Sequence, residues 1–155
     1  MNDAAKILEL LRSRGMTLAT AESCTGGMLG AMFTAVPGSS AIYHGGVISY
    51  CNDLKHRLLG VPQTLLDRFG AVSAEVAESM AEGARVVGAA TVGISITGLA
   101  GPDSDASGLP VGLVYIGYSD RAHTMHRRIQ AKGDRRAVRA AACEAALALL
   151  MEELN

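Results

Sequence analysis

Apolar residues recur along the chain at spacings that alternate between helical and extended patterns. The first set predicts an amphipathic helix over residues 3–14, with Gly15 directly after its last turn. Its apolar positions are Ala4, Ile7, Leu8 and Leu11. Residues 16–22 and 91–97 form short apolar runs, which are typical of buried strands.

The remaining elements follow from turn and capping residues. Residues 42–50 predict a strand that Gly45-Gly46 interrupts, which indicates a bulge or the close approach of another group. Four helix starts are indicated by N-cap residues or by proline, namely at Asn52 or Asp53, Pro62, Ser73 and Asp134. Residues 111–118 and 123–130 predict two strands joined as a hairpin.

Strands that alternate with helices and then end in a hairpin predict an α/β sandwich. Its sheet should have five strands, mostly parallel, with one antiparallel member. The length of 155 residues and the absence of a linker predict one domain over residues 1–155. Ligands of such sheets bind beyond the carboxyl ends of the strands.

Composition and charge exclude several classes of protein. Hydrophobic residues make up 49% and charged residues 19%, which indicates a folded globular chain. A net charge of −1 provides no global attraction for nucleic acid or for an anionic membrane, and no apolar run spans a bilayer. We therefore expect a cytoplasmic protein whose partners include neither nucleic acid nor membrane. The three cysteines have neither disulfide nor zinc spacing and predict reduced thiols.

Small and polar residues concentrate at three predicted strand ends, over residues 22–27, 50–55 and 97–105. A glycine-rich loop at a helix start offers free backbone N–H groups, which suit an anion or a developing oxyanion. The chain contains neither the P-loop motif nor the dinucleotide-binding fingerprint. His123 and His126 should point to opposite faces of a strand, so we predict no metal site.

Ser23 lies at one of these strand-to-helix junctions and is a candidate nucleophile. A serine nucleophile needs a base, and Lys55 could serve if its pKa were well below the usual value of about 10.4. The residues alone favour a different role for Ser23, as a helix cap. Cys24 is a rival nucleophile, since a helix start would lower the pKa of its thiol.

Eight short motifs occur in an order that resembles the CinA C-terminal-domain family, and together they cover nearly the whole chain. They are Ala21-Glu22-Ser23-Cys24-Thr25-Gly26-Gly27, Pro37-Gly38-Ser39-Ser40, Gly45-Gly46, Tyr50-x-Asn52-x-x-Lys55, Leu59-Gly60-Val61, Gly70-Ala71-Val72-Ser73, Thr97-Gly98-Leu99-Ala100-Gly101-Pro102 and Pro110-Val111-Gly112. The resemblance implies a three-layer α/β/α sandwich. Larger members carry a further domain, and we expect the stand-alone form here.

The resemblance also implies an activity, because members of this family deamidate nicotinamide mononucleotide to nicotinate mononucleotide and ammonia. By position, Ser23 is the implied nucleophile, and Tyr50 and Lys55 assist it. The segment Gly133-Asp134-Arg135 matches a family segment whose arginine contributes to the site.

Our hypothesis is covalent amide hydrolysis that requires no metal and no cofactor. Neutral Lys55 accepts the proton of Ser23 and later donates to ammonia, Tyr50 relays or orients the proton, and backbone N–H groups stabilise the oxyanion. We expect the nucleotide substrate to contact Thr25, Gly26, Gly27, Gly46, Thr97, Gly98 and Arg135. We also expect the protein to form a homo-oligomer.

One segment departs from the family pattern. Residues 104–109, Ser-Asp-Ala-Ser-Gly-Leu, replace the usual glycine followed by a Glu- or Thr-containing stretch. This departure motivates an alternative hypothesis, a pyridine-nucleotide-binding module without turnover. A weaker alternative is a partner in DNA competence or repair, which rests on the family name and on the basic residues between Arg127 and Arg139.

Overall fold

The computed structural model describes all 155 residues and consists of alternating helices and strands. The helices are α1 (Asp3–Ser13), α2 (Met28–Thr34), α3 (Asn52–Leu59), α4 (Gln63–Phe69), α5 (Ala74–Val87) and α6 (Arg135–Glu153). The strands are β1 (Leu18–Glu22), β2 (Tyr43–Ile48), β3 (Val92–Gly98), β4 (Leu113–Ser119) and β5 (Thr124–Gln130). A single 3₁₀ turn covers Ser39–Ala41. No helix combines the length and the apolar composition that crossing a bilayer requires.

The five strands form one mixed sheet in the order β2-β1-β3-β4-β5. Strand β1 pairs in parallel with both β2 and β3, whereas β4 runs antiparallel to both of its neighbours. Four strands therefore point the same way, because β5 reverses direction again after the hairpin. This arrangement confirms the predicted sheet with one antiparallel member.

Helices cover both faces of the sheet, because alternate strand residues point to opposite sides. Leu18 of β1 packs into a core with α1, α2 and α6. Its neighbours Ala19 and Ala21 pack into a second core with α3, α4 and α5. The three-layer α/β/α sandwich is thereby confirmed.

Helix α5 lies very close to the sheet. A Cβ atom added to Gly93 would lie 2.0 Å from the carbonyl oxygen of Ala81, and one added to Gly117 would lie 2.1 Å from that of Ala77. The Ser95 hydroxyl, on β3 directly opposite Gly117, donates to the Ala77 carbonyl oxygen at 2.5 Å. Small residues on this face of β3 and β4 therefore set the distance between the layers.

The structure confirms several local predictions. Ser73 and Asp134 accept hydrogen bonds from Val76 N and Ala137 N as N-caps of α5 and α6. The pairing of β1 with β2 shifts register where β2 reaches Gly45, which is the predicted bulge. A Cβ atom on Gly46 would lie 2.2 Å from the Thr20 hydroxyl, which explains the glycine at this close approach.

Two predicted element starts are wrong. Neither Asn52 nor Asp53 caps α3, because the N-cap is Cys51, with no side-chain hydrogen bond, and the helix has already begun at Asn52. Strand β4 begins at Leu113 instead of residue 111. Gly112 has a φ of +91°, and its N–H donates to Leu99 O, so the chain turns there before it enters the strand.

Candidate active site

The carboxyl ends of the parallel strands meet at one edge of the sheet and surround a cavity of about 270 Å³. Ser23 follows β1, Tyr50 follows β2, and Gly98 ends β3. Helix α6 begins after β5 at the same edge. Seven of the candidate site residues from the sequence line this cavity, namely Ser23, Cys24, Tyr50, Lys55, Thr97, Gly98 and Arg135.

Ser23 and Lys55 form a direct pair. The Lys55 Nζ atom donates to the Ser23 hydroxyl oxygen at 2.9 Å and to the Ser49 carbonyl oxygen at 2.7 Å. Helix α3 carries Lys55 in its first turn, and this position directs the side chain across the end of β1. The Ser49 carbonyl fixes the ammonium group so that it faces the serine.

The environment of Lys55 changes its acidity. The side chain is 1% exposed, and this burial lowers the pKa of Lys55 from 10.5 to about 8. Desolvation disfavours the charged form, and no carboxylate hydrogen-bonds to the amine to offset it. With such a pKa, roughly a tenth of the amines are neutral at pH 7, so Lys55 can accept a proton.

Glu22, and not Ser23, satisfies the start of α2. The buried Glu22 carboxylate accepts hydrogen bonds from Leu29 N at 2.9 Å, from Gly30 N at 3.0 Å and from the Thr25 hydroxyl at 2.6 Å. The N-cap of α2 is Gly27. The interpretation of Ser23 as a helix cap is therefore wrong, and its hydroxyl remains free to pair with Lys55.

Cys24 does not have the features of a nucleophile. Its side chain is buried, and burial raises the pKa of the Cys24 thiol to about 11. We expected the helix start to lower this pKa, but α2 begins only at Met28, and desolvation is the stronger effect. The thiol stays protonated at neutral pH.

Tyr50 and Arg135 pair with each other on the solvent side of the cavity. The Arg135 guanidinium donates to the Tyr50 hydroxyl at 3.1 Å and to the Gly101 carbonyl oxygen at 2.6 Å. Tyr50 is 63% exposed and makes no hydrogen bond to Ser23 or Lys55. The pair joins the loops after β2 and β3, and the other guanidinium N–H groups of Arg135 remain available to a ligand.

The other predicted contact residues lie at different distances from the cavity. Thr97 lines it, but its hydroxyl donates to the Ala71 carbonyl at 2.7 Å. Thr25 is fully buried beneath the loop, and Gly26 and Gly27 form the left-handed turn that leads into α2. Gly46 is not brought to the site, since it packs against Thr20 in the middle of β2.

Free backbone donors follow Ser23. The N–H groups of Cys24, Thr25 and Gly27 donate to no oxygen or nitrogen of the protein, whereas Gly26 N donates to Ser23 O at 3.1 Å. An N–H on the residue after a nucleophile is a common oxyanion donor in serine hydrolases. The edge of the sheet thus combines a hydroxyl, an amine of lowered pKa and unpaired N–H groups. These are the groups that acyl transfer requires as nucleophile, base and oxyanion donors.

Sequence reasoning missed several residues of the site. Asn52, Asp103 and Asp105 also line the cavity. Asn52 belongs to the motif that contains Tyr50 and Lys55, and this was the signal that could have identified it. Arg139 of α6 donates to the backbone of the loop after Ser23, yet the sequence analysis noted it only as one of the basic residues between Arg127 and Arg139.

The two histidines of the hairpin lie on opposite faces, as predicted. His123 pairs with Glu153 of α6, and His126 pairs with Glu78 of α5. The structure contains no group of three or more His, Cys, Asp or Glu side chains arranged to hold a metal ion.

Comparison with known proteins decides the family. The family model of the CinA C-terminal domain matches residues 2–154. The chain belongs to the CinA family. A CinA-like protein of Geobacter sulfurreducens is 45% identical over 148 residues, which are 96% of this chain and 36% of that protein. A CinA-like protein of Cyanothece is 56% identical over 123 residues, which are 79% of this chain and 29% of that protein.

The CinA domain described here thus spans about a third of the length of these curated relatives. Solved structures match it almost end to end. A CinA superfamily protein of Klebsiella pneumoniae superimposes with a TM-score of 0.94 at 34% identity, covering 99% of this chain and 98% of that one. A competence/damage-inducible protein of Agrobacterium tumefaciens gives a TM-score of 0.92 at 36% identity, with coverage of 97% and 92%.

Proposed function

We propose that the protein is an amidohydrolase that deamidates nicotinamide mononucleotide to nicotinate mononucleotide and ammonia, with Ser23 as the nucleophile. The observation that carries this proposal is the Ser23–Lys55 pair, in which a buried amine of lowered pKa contacts the serine hydroxyl at 2.9 Å. A serine without a base has little nucleophilicity, whereas this pair supplies the base.

In the acylation step, neutral Lys55 accepts the hydroxyl proton while Ser23 Oγ attacks the carboxamide carbon. The carbonyl oxygen becomes an oxyanion, which the unpaired N–H groups after Ser23 stabilise in this mechanism. Lys55 then returns its proton to the amide nitrogen as the C–N bond breaks. Ammonia leaves, and the acyl group remains on Ser23 as an ester.

The deacylation step uses the same groups with water in place of the serine. Lys55 is neutral again after ammonia leaves, so it can accept a proton from a water molecule that attacks the ester. The tetrahedral intermediate collapses, and Ser23 recovers its proton from Lys55. The released acid loses its proton to ammonia, so the net reaction converts one amide and one water into a carboxylate and an ammonium ion.

The character of the cavity supports a nucleotide of limited size. Its volume of about 270 Å³ lies near the lower end of the range for small-molecule pockets, which begins at ~300 Å³. Arg135 at its rim supplies a guanidinium group, the preferred side chain for a phosphate. The substrate itself is the one that membership of the CinA family suggests.

The test is an assay of ammonia and nicotinate mononucleotide after incubation of the purified protein with nicotinamide mononucleotide. We expect turnover by the wild type and a loss of at least about 1,000-fold in kcat for Ser23→Ala. Ser13→Ala, at the exposed end of α1, is a matched control that should retain full activity. Nicotinamide riboside lacks the phosphate and should show a higher KM.

Two results would contradict the proposal, namely no product with the wild type or undiminished product with Ser23→Ala. Calorimetry then distinguishes the alternative function. Tight binding of the nucleotide without product would indicate a binding module, the hypothesis that the unusual segment 104–109 motivates.

A further inference from the structure

We propose that Arg139 is a positioning residue that aims the backbone N–H groups after Ser23 at the developing oxyanion. This inference deepens the proposed function and rests on it. Arg139 lies in the second turn of α6, 115 positions from Cys24 in the sequence. It makes no hydrogen bond to Ser23 or Lys55, and its hydrogen bonds to the loop after Ser23 go to backbone carbonyl groups.

Arg139 holds two successive carbonyl groups of that loop. Its Nε atom donates to Cys24 O at 3.0 Å, and its Nη2 atom donates to Thr25 O at 3.1 Å. A guanidinium group is a rigid planar fork, so two such bonds fix both the distance and the orientation of the peptides they contact. The side chain is half-buried, which limits competition from water.

The geometry of the trans peptide transmits this hold to the N–H groups. Because the C=O and N–H bonds of one peptide point in opposite directions, drawing Cys24 O towards α6 turns the N–H of Thr25 away from it. Drawing Thr25 O towards α6 turns the N–H of Gly26 away, and that N–H donates to Ser23 O at 3.1 Å. The Ser23–Cys24 peptide is thereby fixed as well, together with the N–H of Cys24.

The loop needs this support because it contains two flexible positions. Gly26 and Gly27 have φ values of +59° and +108°, and glycine rotates at low cost. A Cβ atom on Gly26 would lie 3.7 Å from Arg139 Nη2, so the guanidinium runs directly beside the turn. Met28 N also donates to Thr25 O at 3.1 Å, and Glu22 holds the Thr25 hydroxyl, so the Cys24–Thr25 peptide is the one whose carbonyl Arg139 alone holds. Without Arg139 this peptide would lose its restraint, and the N–H of Thr25 would lose its fixed direction.

The test compares Arg139→Ala and Arg139→Lys with the wild type. Removal of one oxyanion donor costs about 100- to 1,000-fold in kcat, so we expect Arg139→Ala to lose about 10- to 100-fold in kcat. KM should change by less than about twofold, because the lost interaction acts in the transition state. The pH midpoint of the reaction should not move, since the Ser23–Lys55 pair is unchanged. Arg139→Lys supplies one donor group in place of a fork and should be intermediate.

Guanidinium ion separates positioning from general loss of structure. Added at a concentration well below that which unfolds the protein, it should restore a large part of the activity of Arg139→Ala and none of that of Ser23→Ala. Arg136→Ala is the matched control, because this arginine is exposed on the same helix and its side chain makes no hydrogen bond. Wild-type kcat in Arg139→Ala, or a loss that guanidinium does not restore, would overturn the proposal.

A second readout does not depend on the proposed substrate. Phenylmethylsulfonyl fluoride reacts with an activated serine, forming an O–S bond at Ser23 as fluoride leaves and the hydroxyl proton passes to Lys55. Its sulfonyl oxygen occupies the position of the oxyanion, and intact mass gives the rate. If the wild type fails on nicotinamide mononucleotide, slower labelling of Arg139→Ala that guanidinium restores would still support Arg139, and equal labelling would overturn it.

Discussion

At the scale of single residues, Lys55 is the side chain whose environment differs most from that of an ordinary lysine. It is almost fully buried, no carboxylate hydrogen-bonds to it, and its hydrogen bonds go to one hydroxyl and one backbone carbonyl. Burial without an anionic partner makes its neutral form accessible near physiological pH. The proposed chemistry depends on this single feature.

The pH dependence of the reaction should report this lysine. The proposed mechanism requires Lys55 in its neutral form, and the pKa of Lys55 is about 8. We therefore expect kcat/KM to rise about tenfold per pH unit below this value and to level off above it. Steady-state kinetics with nicotinamide mononucleotide, at pH values below and above this pKa, would measure the change in kcat/KM. A profile that is flat through this region would show that Lys55 is not the base.

The sequence identified the chemical groups of the site but not their contacts. Parallel strand ends predict that residues after β1 and β2 meet, so the proximity of Ser23 and Lys55 could be anticipated. The burial that lowers the pKa of Lys55 depends on how several loops pack, and this packing could not be predicted from the sequence. The contact between Arg139 and Cys24 could not be predicted either, because no local sequence pattern relates two residues so far apart in the chain.

At the scale of elements, the contact between α5 and the sheet restricts the side chains beneath it. Gly93, Ser95 and Gly117 leave no space between the helix backbone and the strands. The opposite face carries isoleucine, valine and tyrosine against α1, α2 and α6. Small residues thus face α5, whereas larger side chains face α1, α2 and α6.

Gly117→Ala should be strongly destabilising because of this contact. The new Cβ would lie 2.1 Å from Ala77 O and 2.6 Å from Ala77 C, and neither backbone atom can move without displacing α5. We expect a loss of about 3 kcal/mol in the free energy of unfolding, the upper end for overpacking. Urea unfolding of the variant and the wild type measures this loss.

Gly60→Ala is a useful control for this substitution. No atom lies within 4 Å of its added Cβ, and only its φ of +69° opposes alanine. The expected cost is therefore smaller, about 1 kcal/mol. If the two variants were equally stable, close packing under α5 would not be the determining factor.

Periodicity and capping residues predicted most elements, and the exceptions have physical causes. The spacing of α1 and the caps Ser73 and Asp134 are local signals, and each was confirmed. The start of β4 was misplaced because a left-handed Gly112 turns the chain within an apolar run. The start of α3 was misplaced because Asn52 lies inside the helix after Cys51.

At the scale of the whole molecule, the buried lysine should lower stability at neutral pH. A fall in pKa from 10.5 to about 8 corresponds to a cost of about 3 kcal/mol for the protonated folded state. Between these two pH values the unfolded chain binds more protons than the folded one, so this contribution to stability rises with pH. Below about pH 8, Lys55 is protonated in both states, so the full cost of burying its charge lowers the free energy of unfolding.

Comparison with Lys55→Met isolates this effect. The difference in unfolding free energy, wild type minus variant, should increase by up to about 3 kcal/mol between pH 7 and pH 10. Urea unfolding of both proteins at the two pH values measures it, and other titrating groups cancel in the difference. Lys132→Met, at an exposed position, should show no such change. A difference that stays constant with pH would contradict the lowered pKa.

The dependence of the nucleophile loop on α6 has a consequence for the order of synthesis. Ser23, Tyr50 and Lys55 precede Arg135 and Arg139 by 80 residues or more, so a ribosome translates them first. The earlier residues can form strands β1 and β2 as the chain grows, and Glu22 can hold the start of α2, but the bonds from Arg135 and Arg139 to the loops form only when α6 docks. Turnover of the proposed substrate would therefore report completion of the fold, and fragments released early in translation would carry the nucleophile without its catalytic power.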